Sequence, residues 1–452
     1  MTTKKGSMTT NSQTVAIVSL GCAKNLVNTE QMIYLLKNAG FSIVNYDQAE
    51  QILDVIIINT CGFIESAKAE AIDTVLELGE LKSAGAIKKL VVTGCLSERY
   101  KDEIMAELPE IDAVVGVGSF GEIVQAVKSV LADERVSLFG DINAPEAETK
   151  RIITTSPAWA YLKIAEGCDN RCSYCVIPAI RGRFRSRSFE AVIAEAKDLA
   201  ADGIKEIIVV AQDITRYGLD LYGERRLAEL IEELCAIDGI SWVRLHYMYP
   251  DEIDDNLINT IAENEKVLKY LDIPIQHISD TVLKTMNRRG TSSEIRALMK
   301  KLREKIPGVV IRTSLITGHP GEGEEEFSEL CDFLKEYGLE RAGVFPYSPE
   351  EGSVSADLPR VSQETAEERA EYIAAIQAEV MDRYNENRID KEVLVLVEGI
   401  EGDMYYGRSF AESPDVDGYV YIVGEDIPLF DFVKVKINDI LDGQPVGTPA
   451  LN

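Results

Sequence analysis

Residues 161–175 read YLKIAEGCDNRCSYC, a short apolar run that passes directly into Cys168, Cys172 and Cys175. The run has the length and composition of a buried strand. The C-x-x-x-C-x-x-C loop behind it can bring three thiolates to three corners of one cluster. A mononuclear zinc site wants a fourth ligand nearby, and the three histidines, His246, His277 and His319, are distant in sequence. Three thiolates instead fit a 4Fe-4S cluster with one iron left open, in contrast to the four-cysteine ligation of an electron carrier. An open iron implies that the cluster binds something.

Downstream, five more strand-like runs alternate with helical patterns: EIIVVAQ (206–212), WVRLHY (242–247), YLDIPI (270–275), VVIRTSLI (309–316) and RAGVFPY (341–347). A long charged amphipathic helix over about 363–388 closes the series. Six β/α units with strands this short predict a partial barrel, with its chemistry on the loops after the strands.

Upstream the same alternation argues for a separate parallel α/β sheet. TVAIVSL (14–20), DVIIINT (54–60) and KKLVVTG (88–94) each run into a cysteine: Cys22, Cys61 and Cys95. Helices are expected up to Gly40, from Ala67 to Leu78 and from Ser97 to Leu108. In an open parallel sheet the loops beyond the carboxyl ends of the strands share one edge, so three loops far apart in sequence would present their cysteines together. Cysteines that merely fill a core would fall within strands. Cys235 and Cys331, inside the helical patterns LIEELC and FSELCDFL, are read as core residues.

The tail is different. VLVLVEG, MYYGRSF, GYVYIVG and FVKVKIND are strand-like runs between Gly, Pro and Asp turns, which predicts a small antiparallel β-barrel. The expected division is a disordered leader (1–12), an N-terminal cluster domain (13–138), a linker (139–157), the partial barrel (158–388) and the small β-barrel (389–452).

The 452 residues carry 47 Lys and Arg against 76 Asp and Glu, a net charge of −29. Such a surface repels phosphate backbones, so a nucleic-acid substrate is disfavoured and a basic partner favoured. Eight cysteines are too sparse for a disulfide framework, no apolar run reaches the length of a membrane span, and the start, MTTKKGSMTTNSQT, has no apolar signal core. The expectation is a cytoplasmic protein in a reducing compartment. No heptad or long apolar edge asks for a dimer, and a monomer is expected.

The cysteine triad after the first strand of a six-unit barrel resembles the radical S-adenosylmethionine superfamily. There the open iron is chelated by the amino and carboxylate groups of that cofactor, and one electron cleaves it to methionine and a 5'-deoxyadenosyl radical. The whole chain resembles one branch, the methylthiotransferases, which join an N-terminal three-cysteine domain, a radical barrel and a C-terminal TRAM barrel. SLGCAKNLVNTE (19–30), NTCGFIESA (59–67) and VTGCLSERY (92–100) are similar to that branch's N-terminal motifs. The resemblance implies a second 4Fe-4S cluster on Cys22, Cys61 and Cys95, carrying the sulfur or methylsulfide to be transferred.

Within the branch, the motifs look like the enzymes that act on an aspartate of ribosomal protein S-twelve, through Gly-Cys-Ala-Lys-Asn (21–25), residues 164–187, 211–223, 270–280, MNRRG (286–290) and 344–352. The alternatives are a methylthiotransferase for adenosine 37 of transfer RNA and a non-catalytic iron-sulfur carrier. Residues 388–452 hold 5 Lys and Arg against 13 Asp and Glu, a net of −8, where an RNA-binding barrel should be basic. The implied partners are therefore a basic ribosomal protein, free or in the small subunit, and a low-potential electron donor, flavodoxin or ferredoxin. No direct binding of transfer RNA is expected.

No side chain alone is assigned a catalytic role, since the chemistry would lie at the clusters. Tyr174, Gln212, Asp213, Arg183 and Gly318 are the candidates for cofactor contact. Arg181, Arg183, Arg185 and Arg187 alternate through IRGRFRSR, which on an extended segment sets four guanidinium groups on one face as a carboxylate clamp or a salt-bridged loop. His277 after PIQ reads as a polar core contact at least as readily as a catalytic group. One departure from the family pattern, TGHPGEG (317–323), has His319 where an aromatic is usual and Gly where Thr is usual.

Overall fold

The computed structural model describes residues 12–46 and 52–450. All of the expected leader except Ser12 lies outside the described residues. The chain forms two compact units: residues up to 152 together with 179–182, and residues 153–178 together with 183 onward.

The first unit is a parallel sheet of six strands: β1 (Thr14–Ser19), β2 (Ser42–Ile43), β3 (Leu53–Thr60), β4 (Ile87–Gly94), β5 (Ala113–Val115) and β6 (Val136–Leu138), in the order β2-β1-β3-β4-β5-β6. On β3 the side chains alternate, as strand geometry requires. Ile56 and Ile58 pack with Ala71, Val75 and Leu78 of the helix Glu65–Ser83, while Val55 and Ile57 pack with Met32 and Leu36 of Ala23–Asn38 and with Ile123 and Val127 of Ile123–Leu131. Helices thus cover both faces, which is why the strands read as unbroken apolar runs. The sequence reading omitted β2, β5 and β6, which at two or three residues are too short to show a period. The expected helix 97–108 is two helices, Cys95–Tyr100 and Asp102–Glu107, broken where Lys101 takes φ +45°.

The second unit contains β7 (Trp159–Lys163), a two-stranded ribbon of β8 (Ala165–Glu166) with β9 (Arg185–Ser186), and then β10 (Glu206–Val210), β11 (Trp242–Leu245), β12 (Val267–Asp272), β13 (Val310–Thr317) and β14 (Arg341–Pro346). β7 and β10 to β14 form one parallel sheet in sequential order, unclosed between β7 and β14. This is the six-unit partial barrel that the sequence predicts. Ile207, Val209, Val243, Leu245, Leu271 and Ile311 point into the core shared with the helices. Their strand neighbours Glu206, Arg244 and Asp272 face the other way and are just as buried, as is Lys163 on β7. Local chemistry agrees with the helix starts: Ser188 caps Phe189–Ala201, and Thr291 with Glu294 forms a capping box on Ser292–Lys305.

The tail closes into a five-stranded barrel of β15 (Glu392–Glu401), β16 (Met404–Arg408), β17 (Val420–Ile422), β18 (Phe432–Leu441) and β19 (Gln444–Pro449), ordered β15-β16-β17-β19-β18 around Val395, Val397, Val420, Ile422, Val435 and Ile437. Four of its ladders are antiparallel, but β17 pairs β19 in parallel. The chain leaves β17, crosses to β18 and returns, so the ladder that completes the barrel runs parallel. No helix among the described residues is long and apolar enough to cross a membrane.

Candidate functional site

In the first unit β1, β3 and β4 are adjacent and in register at their carboxyl ends, with Ser19 opposite Asn59 and Thr60 opposite Gly94. Cys22, Cys61 and Cys95 therefore leave the sheet from one edge, as the strand-then-cysteine pattern implies. Glycines make the closeness possible. A Cβ on Gly21 would lie 2.8 Å from Cys61 Cβ, and one on Gly62 would lie 3.0 Å from the Cys95 carbonyl carbon. On Gly94, whose φ is +97°, it would lie 2.4 Å from the Thr60 carbonyl oxygen.

The thiols also sense one another. Burial pushes Cys61 up to about 11, with Cys95 and Cys22 adding to the effect against a backbone N–H from Phe63. Burial works against the Cys22 thiolate as well, but Lys24, Arg181 and the backbone N–H groups of Asn25 and Lys24 outweigh it and hold that thiol below its ordinary value. None of the eight cysteines, all among the described residues, forms a disulfide.

In the second unit Cys168, Cys172 and Cys175 occupy the loop between β8 and the helix Ile177–Arg181. Cys175 N–H donates to the Cys172 carbonyl at 3.0 Å, Ser173 N–H to the Met286 carbonyl at 2.9 Å, and Ser173 Oγ to the Thr285 carbonyl at 2.7 Å. Asn287 Nδ2 donates to the Arg171 carbonyl at 2.8 Å. The MNRRG stretch is thus the clamp on the cysteine loop. Burial pushes Cys168 up to about 11 and Cys175 further, and Cys172 raises both. Those are the environments of thiols that need a cation to stay ionised.

Arg288 and Tyr249 are the residues that sequence reasoning missed here. Buried Arg288 donates through Nη2 to the Pro274 carbonyl at 2.6 Å and through Nη1 to Tyr174 Oη at 3.3 Å. The same Nη1 stands 3.9 Å from Cys172 Sγ, and the guanidinium lies 4.2 Å from the centre of the Tyr249 ring. Only the MNRRG motif could have pointed to Arg288, and nothing in the local pattern singles out Tyr249.

The predicted contact residues separate. Gln212 follows β10, and its Nε2 donates to Glu166 Oε1 at 2.7 Å, while its Oε1 is buried with no protein hydrogen bond. Asp213 is turned to support: Oδ2 accepts from Asn170 Nδ2 at 2.7 Å, inside the cysteine loop, and Oδ1 accepts from Thr215 N–H at 3.0 Å. Tyr174 sits edge-on to His319, 6.0 Å between ring centres, and His319 is edge-on to Tyr347 at 5.0 Å. His319 therefore occupies an aromatic's place through edge-to-face contacts, and burial holds its imidazole down to about 4, so it packs there as a neutral ring. At Gly318, φ +75°, a Cβ would meet Ala366 Cβ at 2.3 Å, so the packing of the helix Gln363–Glu386 already requires glycine. His277 is a buried polar contact, its Nε2 3.2 Å from Glu322 Oε2 and its Nδ1 accepting from Ser279 N–H.

The four arginines do not share a face. Residues 177–181 are helical, Gly182 turns the chain at φ +73°, and only 185–186 are extended. Arg181 is buried in the first unit, Arg183 is exposed, Arg185 donates to the Arg183 carbonyl, and Arg187 pairs with Glu195 at 2.6 Å. A helix end broke the period that the alternation assumed.

Among the described residues, no three His, Cys, Asp or Glu side chains close to the spacing of a single-ion shell. Thiolates on a cubane stand wider apart than the ligands of one ion. In the first unit the glycine-lined loop edge leaves room for such a group, and in the second unit the buried, unmatched Gln212 Oε1 offers an acceptor to a polar cofactor.

Residues 162–334 match the radical SAM superfamily, 14–116 the uncharacterized protein family UPF0004, and 389–444 the TRAM domain. The ribosomal protein uS12 methylthiotransferase RimO of Acetivibrio thermocellus is 49% identical, covering 96% of this chain and 97% of that protein. The chain belongs to the RimO family. RimO proteins from Geobacter sulfurreducens and Caldanaerobacter subterraneus are each 47% identical, over 97% and 96% of this chain and 99% of both relatives. RimO membership makes this chain a radical S-adenosylmethionine enzyme that transfers a sulfur-containing group, with a 4Fe-4S cluster and S-adenosylmethionine. In fold it is similar to the radical S-adenosylmethionine methyltransferase TsrM of Kitasatospora setae, solved with cobalamin and a 4Fe-4S cluster, at TM-score 0.56 and 14% identity over 76% of this chain and 77% of that one.

Proposed function

We propose that this chain replaces a hydrogen on the β-carbon of an aspartate in ribosomal protein uS12 by a methylthio group, holding one 4Fe-4S cluster on Cys168, Cys172 and Cys175 and a second on Cys22, Cys61 and Cys95. The observation that carries the reading is the duplication: each three-cysteine set stands on loops beyond the carboxyl ends of its own parallel sheet, and each lacks a fourth cysteine. When bound, the first cluster with S-adenosylmethionine supplies hydrogen abstraction, and the second supplies sulfur for methylation and transfer.

The protein's own part is positioning. MNRRG and Asn170 hold the Cys168 loop, the rings of Tyr174, Tyr249 and His319 exclude water beside it, and Gln212 and Glu166 offer the polar contacts of a cofactor. Gln212 is a direct cofactor contact in this proposal, Asp213 acts through Asn170, and Arg183 and Gly318 hold less central places. The labour divides among residues 13–138, 158–388 and 389–452. The reaction takes place in the cytoplasm, in a monomer fed electrons by flavodoxin or ferredoxin, with no direct contact to transfer RNA.

Mass spectrometry of uS12 from cells with and without this gene tests it. The expected result is a mass gain of one methylthio group in place of one hydrogen, on an aspartate, only when the gene is present. An unmodified uS12 in both cultures, together with methylthiolated transfer RNA, would overturn it. Cys172→Ala should abolish reductive cleavage of S-adenosylmethionine in the purified protein.

A further inference from the structure

Arg181 lies six residues beyond Cys175 in sequence, yet it is packed in the first unit and only 2% exposed. Its Nε and Nη2, on one edge of the guanidinium fork, are each 3.4 Å from Cys95 Sγ. Nη2 also donates to Asn25 Oδ1, and Nη1 donates to Asn28 Oδ1 at 3.3 Å.

Asn25 is itself fixed. Its Nδ2 donates to the Thr60 carbonyl at 2.9 Å and the Leu20 carbonyl at 3.2 Å, which ties the ends of β3 and β1 together and aims Oδ1 at the guanidinium. Asn59 Nδ2 donates to the Asn25 carbonyl at 2.8 Å. The fork is therefore held against one sulfur by Asn25 and Asn28 of the helix behind Cys22, and Asn25 is in turn tied to the end of β3, which runs into Cys61. Its charge also reaches Cys22 and Cys61, favouring the thiolate at both.

We propose that Arg181 is the positioning residue of the Cys22, Cys61 and Cys95 group, and that its two N–H···S hydrogen bonds to Cys95 raise the reduction potential of the cluster held there. The inference rests on the reading that these three cysteines hold a cluster. Hydrogen bonds to ligand sulfur and nearby positive charge favour the reduced, more negative state, and are among the main levers on cluster potential. The stretch that supplies the radical-site cysteines thereby also supplies the counter-charge of the other site.

The test uses the full-length chain with Cys168, Cys172 and Cys175 all changed to Ala, so that only the N-terminal triad can hold iron. Anaerobic reconstitution with iron and sulfide is followed by iron analysis and a potentiometric titration read by electron paramagnetic resonance. Arg181→Met in this background is expected to bind iron with a more negative midpoint potential and an altered resonance signal. Arg181→Lys, which keeps the charge without the fork, should recover part of the shift. An unchanged potential and signal in iron-loaded Arg181→Met would overturn the inference. Should Arg181→Met lose iron, the same titration on Arg181→Gln decides, because its amide still donates a neutral hydrogen bond: a negative shift supports the role and an unshifted potential overturns it. If the parent background takes up no iron, the cluster reading falls first and the inference falls with it.

Discussion

Arg244 on β11 and Glu206 on β10 meet at 2.7 Å between Nε and Oε1, with both side chains wholly buried. The other Glu206 oxygen accepts from Arg408 Nη2 of the small barrel, also at 2.7 Å, and Arg408 continues to Glu398 at 2.5 Å. One carboxylate thus bridges a guanidinium from the sheet and another from the TRAM barrel, with Glu398 supplying the second negative charge. Removing one member of a buried pair strands the other's charge, at about 3–5 kcal/mol. Glu206→Gln should lower the unfolding free energy by that order, measured by urea denaturation of the second unit's transition. A loss under about 1 kcal/mol would mean that water reaches these arginines.

Glu412 makes the same kind of contact a pH lever. Burial alone would raise its carboxyl, but Arg388 at 2.5 Å and Arg341 at 3.1 Å pull it down to about 2. A folded pKa below the unfolded value gives stability that is complete above the ordinary carboxylate range and is lost as pH falls toward the folded pKa. Wild type should therefore exceed Glu412→Gln in stability at pH 6, with the gap narrowing between about pH 4.5 and pH 2. Parallel denaturation curves across that window check it, and a gap independent of pH would contradict it.

Gly94 and Gly85 both take positive φ, at +97° and +82°, but a Cβ meets the Thr60 carbonyl at the first and nothing within 4 Å at the second. Gly85→Ala should cost only backbone strain, about 1–2 kcal/mol. Gly94, with ψ −159°, occupies a region almost restricted to glycine, so Gly94→Ala adds a clash to strain of about 1–3 kcal/mol. It should also reduce iron uptake at the N-terminal triad, which Gly85→Ala should leave intact. Equal iron content in the two variants would argue against the loop-edge cradle.

The common placement of Cys22, Cys61 and Cys95 was legible because a strand followed by a cysteine is a local pattern and a parallel sheet turns local patterns into a shared edge, whereas Cys168, Cys172 and Cys175 simply share one loop. The Arg181 to Arg187 alternation was equally local and misled, because a helix end and Gly182 intervene where the pattern assumes extension. Tyr249 and Arg288 reach Cys172 from 77 and 116 positions away, a closeness that no spacing rule contains. Charge counting was legible only in part. Glu398, Glu412, Asp415, Asp417 and Asp431 of the tail are bound to Arg408, Arg388, Tyr161, Tyr270 and Lys205, so these five of the thirteen acidic residues serve the fold before any partner.

Asp213 and Gln212 are neighbours with different jobs, and kinetics can tell them apart. Asp213 is 1% exposed and raised by burial, only partly offset by Thr215 and Asn170, and its hydrogen bond to the cysteine loop runs to Asn170. Arg289 Nη2 holds the other end of that amide, donating to Asn170 Oδ1 at 3.0 Å. Asp213→Ala should loosen the loop, lowering iron at the Cys168 site and cleavage of S-adenosylmethionine by about 10- to 100-fold, the usual cost of losing a group that orients a ligand. Asn170→Ala should do the same, and the double variant should lose far less than the two losses combined, since both changes break the same Asp213–Asn170 contact. Gln212→Ala should instead leave iron unchanged and raise the KM for S-adenosylmethionine if its unmatched amide oxygen contacts the cofactor as proposed. Iron analysis with initial-rate cleavage assays on the four variants measures all of this. Independent, additive losses in the Asp213 and Asn170 pair, or lost iron in Gln212→Ala, would reverse the assignment of the two roles.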